Sequence, residues 1–228
     1  AQGADLVLEQ YLDGREYDVD VVMRGGKPLF VSVTDNWPTR EPYFLATGSS
    51  LPSRLLNTKE QKEAGDLAIQ TAQALGLTDR VVHIEGKYTK EGPRIIEANG
   101  RMGGEYVHDW VQAVWGVSLV EENLLAAASV GGKPFMAHRP LTHLEGEFII
   151  PTESGIISDF DLPESARLQQ GFHELRVKKQ VGDRIAVPPV GYERAGMLVA
   201  RGATTAQAQK NLDALRANLL LNIRPEKK

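Results

Sequence analysis

Glu85 and Lys87, followed closely by Glu97, Asn99 and Arg101, are the side chains in this sequence best placed to do chemistry together. The runs Val81 to Thr89 and Arg94 to Gly100 are rich in β-branched and aliphatic residues, and the turn-like Lys90-Glu91-Gly92-Pro93 separates them, which predicts a hairpin. Alternate side chains of a strand share a face, so Glu85 projects with Lys87, and Glu97 with Asn99 and Arg101. With the turn centred on Glu91, Glu85 stands opposite Glu97. Two carboxylates opposed at that range destabilise a sheet unless positive charge lies between them. A hard divalent cation such as Mg²⁺ answers this, because it takes oxygen ligands from few protein groups and from phosphates; Glu85, Glu97 and the Asn99 carbonyl form such a set. Arg101 lies where it can reach phosphate oxygens. Gly103-Gly104, just before a predicted helix, can offer amide N–H groups to the same anion. A hairpin with a solvated, charged outer face has the same spacing, and spacing alone does not separate the two readings.

The elements that must carry these residues are legible in outline. Leu6 to Leu12 and Asp18 to Val33 read as strands, broken at Asp13-Gly14 and at Gly25-Gly26-Lys27-Pro28. Asp35 to Asn57 reads as a long irregular stretch, of the kind that is usually functional or disordered. Thr58 with Gln61 reads as a capping box opening an amphipathic helix that ends at Gly76. A further helix carries Val107, Trp110, Val111 and Val114 inward and stops at Gly116, so Trp110 reads as core. Ser118 with Glu121 opens a helix running to Gly131-Gly132. A composition shift near Pro140 predicts a boundary between residues 1–139 and 140–228. Beyond it, strands are expected around Leu144 to Ile150, Phe172 to Val181 and Gly196 to Arg201. Thr204 with Gln207 caps a last helix, and the tail Pro225 to Lys228 is expected to fray. The class is α+β.

Composition narrows the field. The chain has 228 residues, 42% apolar and 25% charged, so it can bury a substantial core. A net charge of −4 with no basic stripe argues against nucleic acid or a membrane surface as partner. With no cysteine there is no disulfide framework or thiolate metal site, and the five histidines are too scattered for a zinc motif. No apolar run approaches the ~20 residues that span a bilayer, and no signal pattern opens the chain, so a cytoplasmic location is expected. The chain begins at Ala1, directly before an apparent strand, and reads as part of something longer.

The string Val82-His83-Ile84-Glu85-Gly86-Lys87, with Gly92-Pro93-Arg94-Ile95-Ile96-Glu97-Ala98-Asn99-Gly100-Arg101-Met102-Gly103-Gly104, resembles the signature of the ATP-grasp superfamily. The resemblance implies ATP with Mg²⁺ (Mn²⁺ as a substitute), metal held by Glu85, Glu97 and Asn99, and phosphate contacted by Arg101. Glu97 and Arg101 are then the catalytic pair. Leu8 to Asp20 resembles the hinge strand of these enzymes, which implies Glu9, Tyr11 and Leu12 at adenine and Glu16 at ribose. The implied fold is the C-terminal half of an ATP-grasp domain, an antiparallel sheet flanked by helices, with a small C-terminal α+β cap. Within the superfamily, Ser32 to Arg40 and Arg101 to Gly104 with Asp109-Trp110 resemble the carnosine-synthase type of ligase, strongly from about Leu6 to Val130. That likeness implies two amino-acid substrates, joined through an acyl phosphate, and gripped by Asn36, Arg40, Tyr106 and Asp109 beside Arg101, Gly103 and Gly104.

The upstream lysines and glycine-rich loop that cover phosphates in this superfamily have no counterpart here, so an isolated chain of this sequence is expected to bind nucleotide weakly. A carboxylase, another amino-acid ligase, or a folded module without turnover stand as alternatives. A hinge strand left as a raw sheet edge would favour pairing of two copies, hence a homodimer.

Overall fold

The computed structural model describes residues 6–226. The chain first builds β1 (Arg15–Arg24), β2 (Lys27–Asn36) and β3 (Gly48–Leu51), then α1 (Thr58–Ala74), and then the hairpin β4 (Arg80–Thr89) and β5 (Gly92–Asn99). Two helices follow, α2 (Val107–Trp115) and α3 (Leu119–Ala127). The remainder is β6 (His143–Ile149), β7 (Gly155–Asp161), α4 (Glu164–Arg167), β8 (Phe172–Val177), β9 (Arg184–Ile185), β10 (Gly196–Gly202), α5 (Thr205–Arg216) and β11 (Leu220–Arg224). One eight-stranded sheet runs β5-β4-β1-β2-β3-β6-β10-β8, and β11-β7-β9 form a smaller one. Its paired strands are antiparallel throughout.

Alternation along β1 sets the two faces. Tyr17, Val19, Val21 and Met23 join Val82 and Ile84 under α1, whose buried residues Ala64, Gly65, Ala68 and Ala72 are small enough to let the helix lie close on the sheet. Val22, Phe30 and Val81 face the other way and pack with Trp110, Val111 and Val114 of α2, with Trp110 fully buried as its spacing predicted. On that second face Asp18 and Asp20 take the positions next to Val22, so the apolar layer under α2 gives way to a polar row. A third core under α5 joins Leu212 and Leu215 to Ile149, Leu198 and Ala200.

Several expectations are corrected. Leu6 to Leu12 forms no strand; Leu6, Val7 and Leu8 are almost wholly exposed, because no neighbouring strand among the described residues offers them a ladder. The edges of the large sheet are β5 and β8, while β1 is bracketed by β2 and β4, so the raw edge invoked for pairing two copies is not in β1. Asp35 to Asn57 is not irregular throughout: Gly48–Leu51 is a fully buried strand between β2 and β6, invisible to propensity because it has no β-branched residue. The α1 cap sits one residue earlier than predicted. The Asn57 side chain accepts from the Lys59 and Glu60 amides at 3.0 and 3.1 Å, and Glu60 accepts from the Asn57 amide at 2.9 Å. α3 opens at Ser118 as expected but stops at Ala127, short of Gly131-Gly132. β7, β9, β11 and α4 lacked a sequence signal. The large sheet continues across Pro140 through the β3–β6 pairing. Lys227 and Lys228 lie outside the described residues.

Candidate functional site

The hairpin brings Glu85 opposite Glu97, and His83 opposite Asn99. A two-residue turn, Lys90-Glu91, would by itself place Glu85 against Ile96; a bulge between Glu85 and Gly86 absorbs Ile96 and restores the carboxylate pair. Glu85, Glu97 and Asn99 lie on the face away from α1, since Ile84 and Ala98 pack under that helix. Burial pushes the Glu85 carboxyl up, the His83 charge opposes this, and the Glu97 and Glu16 charges add to the rise. Asn99 Nδ2 is buried with no hydrogen-bond partner. The opposed carboxylates, with the Asn99 side-chain carbonyl beside them, supply the oxygen donors that a hard divalent cation takes. Among the described residues no three His, Cys, Asp or Glu side chains converge as a metal site by themselves, so such a cation would rest on Glu85, Glu97, the Asn99 carbonyl and phosphate oxygens. Arg101 is exposed, folds back on the Met102 carbonyl at 2.9 Å, and lies near enough to Glu85 to act on its charge.

Behind this pair lies a buried layer that carried no assigned role in the sequence. His83 Nδ1 is 3.0 Å from Asp20 Oδ1, and its Nε2 is 4.0 Å from Asp18 and 3.7 Å from Glu85. Burial alone would lower the imidazole, but the Asp20 hydrogen bond and the charges of Asp20, Asp18 and Glu85 outweigh it and carry His83 up to about 9. Desolvation dominates Asp18 and pushes it up to about 7. Asp20 is 0% exposed, its Oδ1 also accepts the Gly103 amide at 3.2 Å, and its Oδ2 has no partner. The Gly103 N–H is therefore taken by Asp20, leaving the Gly104 side of the pair open. The signal for this layer was present in Glu-Tyr-Asp-Val-Asp-Val-Val: acids at alternate positions of an otherwise apolar central strand.

From Asp18 a chain of polar contacts runs toward the C-terminal strands. Asn36 Nδ2 donates to Asp18 at 2.8 Å, the Ser49 hydroxyl donates to Asn36 at 3.2 Å, and the Ser49 and Tyr106 hydroxyls lie 2.5 Å apart. Tyr106 is buried against Trp110, with ring centroids 4.5 Å apart, and burial pushes its hydroxyl well above the ordinary tyrosine range. Asn36 and Tyr106 are thus brought together. Arg40 is not joined to them: it is exposed and bridges Leu45 through its backbone. Asp109 is engaged in an ion pair with Arg176 of β8.

The residues expected on the nucleotide side gather only in part. Tyr11, Glu16, Asn36, Trp37 and Lys87 line a cavity of about 200 Å³. Lys87 Nζ lies 3.8 Å from Glu16 and 5.2 Å from the Tyr11 ring centroid. Tyr11 and Leu12 also line a second recess of about 260 Å³ beside Thr89 and Arg94. Glu9 is exposed in the extended segment.

Residues 1–109 match the ATP-grasp domain, residues 147–224 match the L-amino acid ligase C-terminal domain 2, and the fold is that of ATP-grasp proteins. It is similar to carnosine synthase 1 of Gallus gallus, 38% identical over 155 residues covering 67% of this chain and 16% of that protein. With carnosine synthase 1 of Homo sapiens it shares 40% over 148 residues, 63% of this chain and 17% of that protein. Among solved structures, the L-amino acid ligase from Bacillus licheniformis superposes with a TM-score of 0.81 at 20% identity, covering 94% of this chain and 53% of that one. Phosphoribosylglycinamide synthetase from Anaerococcus prevotii gives a TM-score of 0.76 at 16% identity, with 94% and 55% covered. These structural likenesses speak to the fold. The chain spans about one sixth of the curated relatives and about half of the solved ones. No described helix is long and apolar enough to cross a membrane.

Proposed function

We propose that this chain is the C-terminal catalytic part of an ATP-dependent carboxylate-amine ligase of the carnosine-synthase type, with residues 1–139 completing the nucleotide side and 140–228 forming a cap. The observation that carries the reading is the bulged register that sets Glu85 against Glu97 beside Asn99. Glu85, Glu97 and Asn99 would hold Mg²⁺, or Mn²⁺, which neutralises phosphate charge and orients the transferring group. Arg101 meets the phosphate oxygens, Gly104 borders them, and Glu16 with Tyr11, Leu12 and Glu9 takes the nucleoside side. A substrate carboxylate attacks the γ-phosphorus of ATP, ADP leaves and an acyl phosphate forms; an amine then attacks the acyl carbon, phosphate leaves and an amide results. The chain's contribution is positioning and charge, since the chemistry needs no protein nucleophile.

Calorimetric titration of Mg·ADP into this chain, its Glu97→Gln variant and a chain extended upstream of Ala1 tests the reading. Mg-dependent binding that the variant loses and the extension tightens is expected. Binding indifferent to Glu97, or none in the extended chain, overturns it.

A further inference from the structure

The C-terminal strands bring a guanidinium to the end of the Asp18–Asn36–Ser49–Tyr106 chain. The Tyr106 ring meets Phe148 of β6 edge to face, with centroids 6.1 Å apart. Arg194, two residues before β10, lies over Phe148 with its guanidinium carbon 3.9 Å from the ring centroid. Asp18 and Glu105 on one hand and Arg194 on the other are near enough to the Tyr106 hydroxyl for their opposite charges to act on it. These residues form a row, with buried Asp18 at one end, the packed rings of Tyr106 and Phe148 in the middle and Arg194 at the other end.

Local charge leaves that basic end with capacity to spare. Arg194 and Lys178 share one carboxylate, Glu105; Lys178 is the closer, and the Arg194 nitrogen stays 3.5 Å away. Arg176, the third cation here, is occupied by Asp109 and Glu174. Glu105 is itself held at φ +54, a left-handed conformation unusual for a non-glycine residue. Arg176 donates to its carbonyl at 3.2 Å. The Arg194 side chain is 28% exposed, so an anion can reach it while its ring stacking keeps it in place.

We infer that Arg194 binds the free carboxylate of the amino acid whose amine attacks. This rests on the ligase reading and deepens it. In amide formation the activated substrate spends its carboxylate, whereas the acceptor keeps its own, so a planar guanidinium set apart from Glu85 and Glu97 selects amino acids over simple amines.

The test titrates L-alanine, L-leucine and L-histidine, and the amide of each, into the 228-residue chain, its Arg194→Gln and its Arg194→Lys variants, followed by NMR shifts. The wild type is expected to prefer each acid over its amide by roughly 10-fold or more, as a charge-assisted fork to carboxylate requires. Arg194→Gln should erase the preference, with Arg194→Lys between; unchanged melting shows the variants folded. Equal binding of acid and amide by wild type, a preference that survives Arg194→Gln, or no binding of either overturns the inference. The Mg·ADP titration with Glu97→Gln is independent of this readout. Nucleotide binding that follows Glu97 while acid preference ignores Arg194 sinks this inference alone, and nucleotide binding that ignores Glu97 sinks the ligase reading.

Discussion

Glu85 stands opposite Glu97 because β5 carries one more residue than β4 between the turn and the pair. From the turn outward, Thr89 meets Gly92 and Gly86 meets Ile95; an unbroken ladder would then set Glu85 against Ile96 and turn Glu97 toward α1. Ile96, 43% exposed, is the residue the bulge sets aside.

That pairing predicts an opposite effect of one substitution with and without metal. Glu97→Gln relieves like-charge repulsion, so the metal-free chain should gain ~0.2–1 kcal/mol. Added Mg²⁺ should raise the melting temperature of the wild type and leave the variant unmoved. A metal-free variant that melts lower than wild type would count against the repulsion argument.

His83 is charged at neutral pH and shields two buried acids, so removing it strands them. His83→Gln is expected to cost ~3–5 kcal/mol in urea unfolding, the scale for breaking a buried ion pair. The double variant with Asp20→Asn should recover part of that loss, because the stranded charge goes with its partner. Additive losses would mean that the two residues do not act as a pair.

Gly103→Ala should be poorly tolerated although its backbone is ordinary. A Cβ there would lie 2.6 Å from Val107 Cγ1 and 2.9 Å from His83 Nδ1, so either α2 or the imidazole must shift. A loss of ~1–3 kcal/mol is expected by analogy with overpacked cores. Gly104→Ala, whose Cβ meets nothing, is the matched control.

Glu145 gives a pH signature away from the candidate cation site. It is 1% exposed, accepts the Ser50 hydroxyl at 2.6 Å, and burial above all pushes it up to about 7. Because the folded state holds this proton more tightly than the unfolded one, its contribution is full below the ordinary glutamate range and is lost as pH rises through about 7. Glu145→Gln keeps an acceptor without the charge. Its stability relative to wild type should therefore rise between pH 5 and pH 8, by at most ~3 kcal/mol; a pH-independent difference in chemical denaturation would contradict this.

The sequence by itself determined what depends on short-range pattern. Ser118 and Thr204 cap helices where their spacing said, Gly116 ends α2 at φ +75, and Val107, Trp110, Val111 and Val114 form its buried face. The β4–β5 hairpin and the Glu85–Glu97 opposition were also readable, although the register was reached through a turn one residue too long, which the bulge happens to offset. Only the tertiary structure decided what depends on partners distant in the chain. Leu6 to Leu12 has strand composition but no ladder among the described residues, whereas Gly48–Leu51 lacks it and is a buried strand because β2 and β6 supply both ladders. His83 meets Asp18 and Asp20 only when β4 is laid beside β1, and Arg194 has no meaning in sequence until β6 and β10 bring it over Phe148. Hydrogen-bond ladders and buried charges draw their energy from whatever neighbour folding supplies, and that neighbour is not written in local spacing.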